Sequence, residues 1–239
     1  MIKVFIGVGH GGNDPGASYG NFIEKDIALT IALECNKTLL RHNVTTLMSR
    51  YKDENDSINS EISECNSFNP NLAVDIHLNA GGGDGFEAFY HFKGGKSLTL
   101  AQNIEKEVVK IGQNSRGCKT KVGANGKDYY AFIRNTVCPA IIVECAFLDN
   151  AHDVSIINTT VKQKKFGVAI AKGILASLGI AYKEDTTNNA NTGANTNKAV
   201  RRVIVDGQQV GAYSVSNNIT TEVNKAIKNN AKKIEIVLI

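Results

Sequence analysis

Apolar residues recur along this chain in two rhythms. Short, nearly continuous apolar runs at residues 3–9, 44–48, 72–76, 85–92 and 140–143 read as buried strands. Between them, apolar positions return at helical spacing. One helix opens at Glu24 with a stripe of Ile27, Ile31, Cys35 and Leu39; others are predicted over 56–68, over 98–113 with Ala101, Ile104, Val108 and Ile111, and over 162–178. Strands that alternate with helices predict an α/β fold, a twisted, largely parallel sheet with helices on both faces.

The pattern changes after residue 182. Residues 185–197 contain no aliphatic side chain larger than alanine, so the stretch 183–198 is predicted to be a flexible linker. Beyond it, residues 200–213 read as a hairpin turning at Asp206-Gly207, followed by a helix over 219–229 and a strand over 234–239. The expected organisation is a large domain over 1–182, the linker, and a small ββαβ module over 199–239. A module of that size is marginal on its own.

Composition places the chain among globular proteins. Of 239 residues, 42% are hydrophobic and 21% charged, and no run approaches the ~18 apolar residues of a membrane span, so no membrane partner is expected. The five cysteines, Cys35, Cys65, Cys118, Cys138 and Cys145, show no paired spacing and read as reduced thiols. Cys35 and Cys65 fall on apolar helix faces and are expected in the core. Cys145 is adjacent to Glu144 on a strand and therefore points to the opposite face.

Four residues carry candidate chemistry. His10 and His77 each end a buried strand, Glu144 ends another, and Glu24 opens a helix. In open α/β sheets the carboxyl edge is where ligands bind, so these separate segments are expected to converge there. Two imidazoles and a carboxylate can hold zinc with one position open for water, leaving the fourth residue, Glu144, to move a proton as that water attacks a carbonyl. Each residue also has a plainer reading. A strand-end His is commonly a hydrogen-bonding residue, and Glu24 in a first helical turn complements the helix dipole. Glu144 is less easily explained away, because a carboxylate closing an apolar strand is costly unless a cation faces it. No HExxH or CxxC pair announces a metal.

The blocks His10-Gly-Gly-Asn-Asp-Pro-Gly-Ala17, Glu24-Lys25, Asp75-Ile-His-Leu-Asn-Ala80 and 133–150, in that order, resemble the zinc-dependent N-acetylmuramoyl-L-alanine amidases over about residues 2–180. That family includes autolysins, sporulation amidases and phage endolysins. The resemblance implies hydrolysis, in bacterial peptidoglycan, of the amide between the lactyl group of N-acetylmuramic acid and L-alanine. It also implies zinc at His10, Glu24 and His77, with Glu144 catalytic. Asn79, on the same strand face as His77, is a candidate substrate contact; the alternative is a strand-end Asn that satisfies loop backbone. The chain departs from the family pattern at Asp75, where a small or hydroxyl residue is usual, in lacking an arginine in the helix before that strand, and at Cys145-Ala146. Asp75 either orients His77 from behind or is a solvated carboxylate at the sheet edge.

Residues 199–239 hold six basic and three acidic residues, most of the chain's net charge of +4. On a wall hydrolase, such a module is expected to bind an anionic wall polymer or peptidoglycan; the alternative is a solvated face on Lys225, Lys228, Lys232 and Lys233. Nucleic acid is not expected, since no aromatic platform accompanies the charge. An apolar last strand left at a sheet edge would favour self-association into a homo-oligomer. The N-terminus runs directly into the first strand. Synthesis in the cytoplasm without a signal peptide, followed by release to the wall as an endolysin, is the corresponding expectation. The competing functions are a zinc peptidase cutting within the stem peptide and a non-catalytic wall-binding protein.

Overall fold

The computed structural model describes residues 2–184, 201–213 and 216–238. They fall into two units, Met1–Ala181 and Tyr182–Ile239. The expected linker lies, from residue 185 onward, outside the described residues, as does Val200 at the start of the expected hairpin.

The large unit is built on a six-stranded sheet. Its strands are β1 (Lys3–Val8), β4 (Thr45–Met48), β5 (Leu72–Asn79), β6 (Phe86–Tyr90), β7 (Ser115–Lys119) and β8 (Ala140–Phe147), in the order β4-β1-β5-β8-β6-β7. The first four in that order are parallel. β6 runs antiparallel to β8, and β7 follows β6 in parallel. A two-stranded ribbon, β2 (Ser18–Tyr19) with β3 (Phe22–Ile23), leads from the glycine-rich loop into the first helix. The sheet is therefore largely parallel, with its antiparallel pairing confined to β6 against β8.

Helices cover both faces because the central strands are apolar on both. α1 (Glu24–Arg41), α3 (Lys96–Lys110) and α6 (Thr160–Ser177) form one layer. In α1 the predicted stripe Ile27, Ile31, Cys35 and Leu39 is fully withdrawn from solvent. α6 lies tightly against its neighbours because Gly167 faces the Ile31 carbonyl of α1 and Gly173 faces Ile104 of α3, where a Cβ would clash. On the other face, α2 (Ile58–Phe68) and α4 (Ala131–Asn135) enclose Phe5, Ile62, Cys65, Ala73, Phe132, Ile133, Ala140 and Ile142. Ser57 caps α2 by accepting from Ser60 N. A short helix, α5 (Ala151–Ile157), leaves the end of β8 with Asn150 as its cap.

The small unit contains β9 (Arg201–Val205), β10 (Gln208–Tyr213), α7 (Ser216–Lys228) and β11 (Ile234–Leu238). This is the ββαβ succession read from the sequence, with Asp206 (φ 50°) and Gly207 (φ 84°) at the hairpin turn. The strand order β10-β9-β11 leaves the last strand at an edge, where Ile236 is 51% exposed.

Candidate metal centre

Local chain geometry sets each candidate ligand. β1 ends at Val8, and the chain turns sharply at His10, whose φ is 61°, a left-handed conformation that throws the imidazole back over the strand end. Arg50 fixes that turn. Its guanidinium, fully buried, donates to the carbonyl oxygens of Val8 (3.2 Å), Gly9 (3.0 Å) and Lys25 (2.7 Å), so one side chain ties the end of β1 to the start of α1. Gly9 leaves room for the neighbouring ring: a Cβ there would lie 2.5 Å from His77 Nδ1.

His10, Glu24 and His77 are brought together, their ligand atoms all within 4.8 Å of one another. Glu24, 2% exposed, sits between the two imidazoles, with Oε2 3.1 Å from His10 Nε2 and Oε1 3.0 Å from His77 Nδ1. The outer nitrogens are held by carboxylates, His10 Nδ1 by Asp14 at 2.8 Å and His77 Nε2 by Asp75 at 3.1 Å. A donor set of two imidazoles and a carboxylate, with each imidazole's far nitrogen anchored on an acid, fits a zinc site and its supporting layer. Asp75 thus takes the orienting position behind His77. It is 2% exposed, so the solvated alternative does not hold.

Charge follows from this packing. Burial opposes ionisation of Glu24, but its bonds to His10 and His77 outweigh that and hold its pKa below the ordinary carboxylate value. His10 is raised, chiefly by its bond to Glu24. Burial acts against a charged His77, yet Asp75 and Glu24 prevail and raise it well above the ordinary imidazole value. The pocket favours positive charge at its centre.

Glu144 lies in register with His77 on the adjacent strand, on the same sheet face, and Glu87 lies opposite Glu144 on β6. Their situations differ. Glu87 is ion-paired with Arg116 and Lys119, which bring its pKa down despite burial. Glu144 has a buried carboxylate oxygen, Oε2, with no hydrogen-bond partner, and burial pushes its pKa up to about 7, with His77 acting the other way. A carboxyl poised near neutrality beside the imidazoles can accept and return a proton. Cys145, on the opposite face, is fully buried.

Asn79 ends β5, and its side-chain oxygen accepts from Ala80 N at 2.9 Å, a loop contact of the kind the alternative reading describes. Sequence reasoning missed Asp14, Arg50, Glu61 and Glu87. Only Asp14 left a signal, four residues after His10 in the same loop. Glu61, on α2, is buried beside Gly7 and Asp75; burial and the Asp75 charge push its pKa well above the ordinary carboxylate value. It occupies the helix in which the family arginine was missing.

A largely parallel sheet with imidazoles and carboxylates gathered toward its carboxyl edge is the kind of scaffold that can hold a metal ion beside a proton-accepting group. Comparison with known proteins is more specific. A family model described as N-acetylmuramoyl-L-alanine amidase matches residues 4–176. An N-acetylmuramoyl-L-alanine amidase of Bacillus licheniformis is 35% identical over 76% of this chain and 69% of its own length, and a sporulation-specific one of Bacillus subtilis is 32% identical over 80% and 72%. Cwp6 from Clostridium difficile superposes with a TM-score of 0.73 at 36% identity, over 74% of this chain and 29% of that one. An endolysin of Bacillus phage SPP1 is 29% identical over 75% of this chain and 67% of its own. The chain belongs to the N-acetylmuramoyl-L-alanine amidase family.

Proposed function

We propose that this chain hydrolyses the amide joining N-acetylmuramic acid to L-alanine in peptidoglycan, with zinc held by His10, Glu24 and His77 and with Glu144 as base and then acid. The observation that carries the catalytic part is Glu144 itself, in register with His77, lacking a hydrogen-bond partner at one buried oxygen, and held near pH 7. When bound, zinc would polarise the scissile carbonyl and make a water more acidic. Asp14 and Asp75 keep the two imidazoles oriented. Glu144 takes a proton from the attacking water and delivers it to the departing alanine nitrogen, which must leave as an amine. Mass analysis of walls digested with and without a chelator tests the reading. Free lactyl carboxylates paired with L-alanine amino termini, lost on chelation, support it; new amino groups within the stem would instead identify the peptidase, and no fragment release under either condition would identify a binding protein.

Asn79 is proposed to contact substrate through its amide. Asn79→Ala should lower turnover several-fold with an unchanged melting temperature; the reverse result, lost stability with intact turnover, would assign the side chain to its loop.

Residues 199–239 are proposed to target the enzyme to an anionic wall polymer and to pair through the edge strand β11, whose Ile236 and Val237 are exposed. A chain ending at Tyr182 should retain hydrolysis of small soluble muropeptides, since every proposed ligand precedes that point, and should lose most sedimentation with walls at low salt. Equal sedimentation of the two forms would remove the targeting role, and a monomer by light scattering would remove the pairing.

The biological setting we propose is that of an endolysin, made in the cytoplasm and acting after release, by analogy with the phage SPP1 relative. Expression inside a susceptible host should leave cells intact until the membrane is permeabilised. Lysis without permeabilisation would contradict it.

A further inference from the structure

We propose that Asp84, His152 and Asp153 form a second divalent-cation site that fastens the loop after β5 to the turn after β8. Among the described residues, only this trio and the His10 centre bring three such ligand atoms within 4.8 Å of one another. His152 Nδ1 stands 3.9 Å from Asp84 Oδ1 and 3.7 Å from Asp153 Oδ1. Both separations are too long for hydrogen bonds and suit atoms that face one ion.

Asp153 supplies the independent observation. It is fully buried at the start of α5, where Oδ2 accepts from Gly85 N at 2.8 Å and Phe147 N at 2.6 Å. Its other oxygen, Oδ1, is buried without a hydrogen-bond partner and faces His152. A carboxylate oxygen withdrawn from water and given no donor is costly, and a cation among the three side chains would remove that cost. The rival is a direct His152–Asp153 bond, reached by a small rotation of the ring.

One imidazole and two carboxylates suit Zn2+ or Mn2+. Asp84 and His152 are each about half exposed, which leaves room for waters to complete the coordination and makes the site open and weaker than the His10 centre. The loop is already tied to the same turn by Asp149, whose Oδ2 accepts from Gly81 N and Gly82 N. Since that loop follows directly on the strand of His77 and Asn79, the ion would stiffen one wall beside the reactive centre.

Calorimetric titration of the metal-stripped full chain with ZnCl2, repeated with MnCl2, tests the site. The unaltered chain should take two equivalents of zinc, one tight and one at least ~100-fold weaker, as a site with two of its three ligands half exposed implies. Asp84→Asn/His152→Ala should lose only the weak equivalent, and His10→Ala/His77→Ala only the tight one. A single equivalent in the unaltered chain, kept by Asp84→Asn/His152→Ala and lost by His10→Ala/His77→Ala, would overturn the second site and leave the first. A tight equivalent that survives His10→Ala/His77→Ala would overturn the first instead.

Discussion

Glu144→Gln should lower kcat at least ~100-fold without loss of zinc, and should make the metal-free protein more stable at alkaline pH. The two effects share one cause. Gln keeps the shape of the side chain but cannot take a proton, so the step that needs a base is lost. The stability effect follows from linkage. Glu144 is held at about 7 in the fold against an ordinary 4.5, so the folded state binds this proton more tightly than the unfolded one. Its contribution is therefore favourable in acid and is lost as pH rises from about 5 to 8, by on the order of 2–3 kcal/mol at 1.36 kcal/mol per pKa unit. The Gln variant has no such loss. Chemical denaturation of both metal-stripped proteins across that range should show the gap opening with pH. In the natural enzyme, kcat should fall on acidification through the Glu144 pKa, at or below about 7, because a bound cation favours the carboxylate. Near-normal lysis by the Gln variant would remove Glu144 from the mechanism.

That effect also shows what the chain discloses in one dimension. Glu144 was legible because a carboxylate at the end of Ala140-Ile-Ile-Val143 conflicts with the apolar pattern, and such conflicts collect at functional sites. His10 and His77 were legible in the same way, at the close of apolar runs within recognisable blocks, although the strands themselves do not end there: β1 stops at Val8, β5 runs on to Asn79 and β8 continues past Glu144 to Phe147. Supporting residues were not. Arg50 looks like a surface cation until its guanidinium is seen to bind four carbonyls, those of Val8, Gly9, Lys25 and Lys52. Glu61 and Asp75 lie on consecutive elements and meet because α2 folds back over β1 and β5, bringing both side chains against Gly7.

Among the elements, β7 escaped because Ser-Arg-Gly-Cys-Lys has no apolar alternation and lies at the sheet edge. α4 and α5 have five and seven residues, too few for a periodic stripe. The direction of β6 could have been inferred. Six residues between β5 and β6 cannot hold the crossover that a parallel return requires, so the strand must run back.

His77→Ala should abolish activity and the zinc that survives dialysis against a mild chelator. Its Nδ1 faces Glu24, whose Oε1 also accepts from Leu78 N at 2.9 Å, so loss of the ring leaves a two-ligand site. Removal also exposes a hidden cost. Asp75 loses its partner at Nε2 while Glu24 and Glu61 stay buried nearby, so several acids face one another without the imidazole between them. A fall in stability is expected, and Asp75→Asn separates it from ligation. That variant keeps all three ligands and removes only the charge behind His77, so zinc should bind about 10–100-fold more weakly, with activity restored by excess zinc. Measurements belong in an Asp84→Asn/His152→Ala background, where the proposed second ion cannot contribute. Stoichiometric zinc in His77→Ala after dialysis would dismiss His77 as a ligand; unchanged affinity in Asp75→Asn would reduce Asp75 to a packing residue and leave the ligand assignment standing.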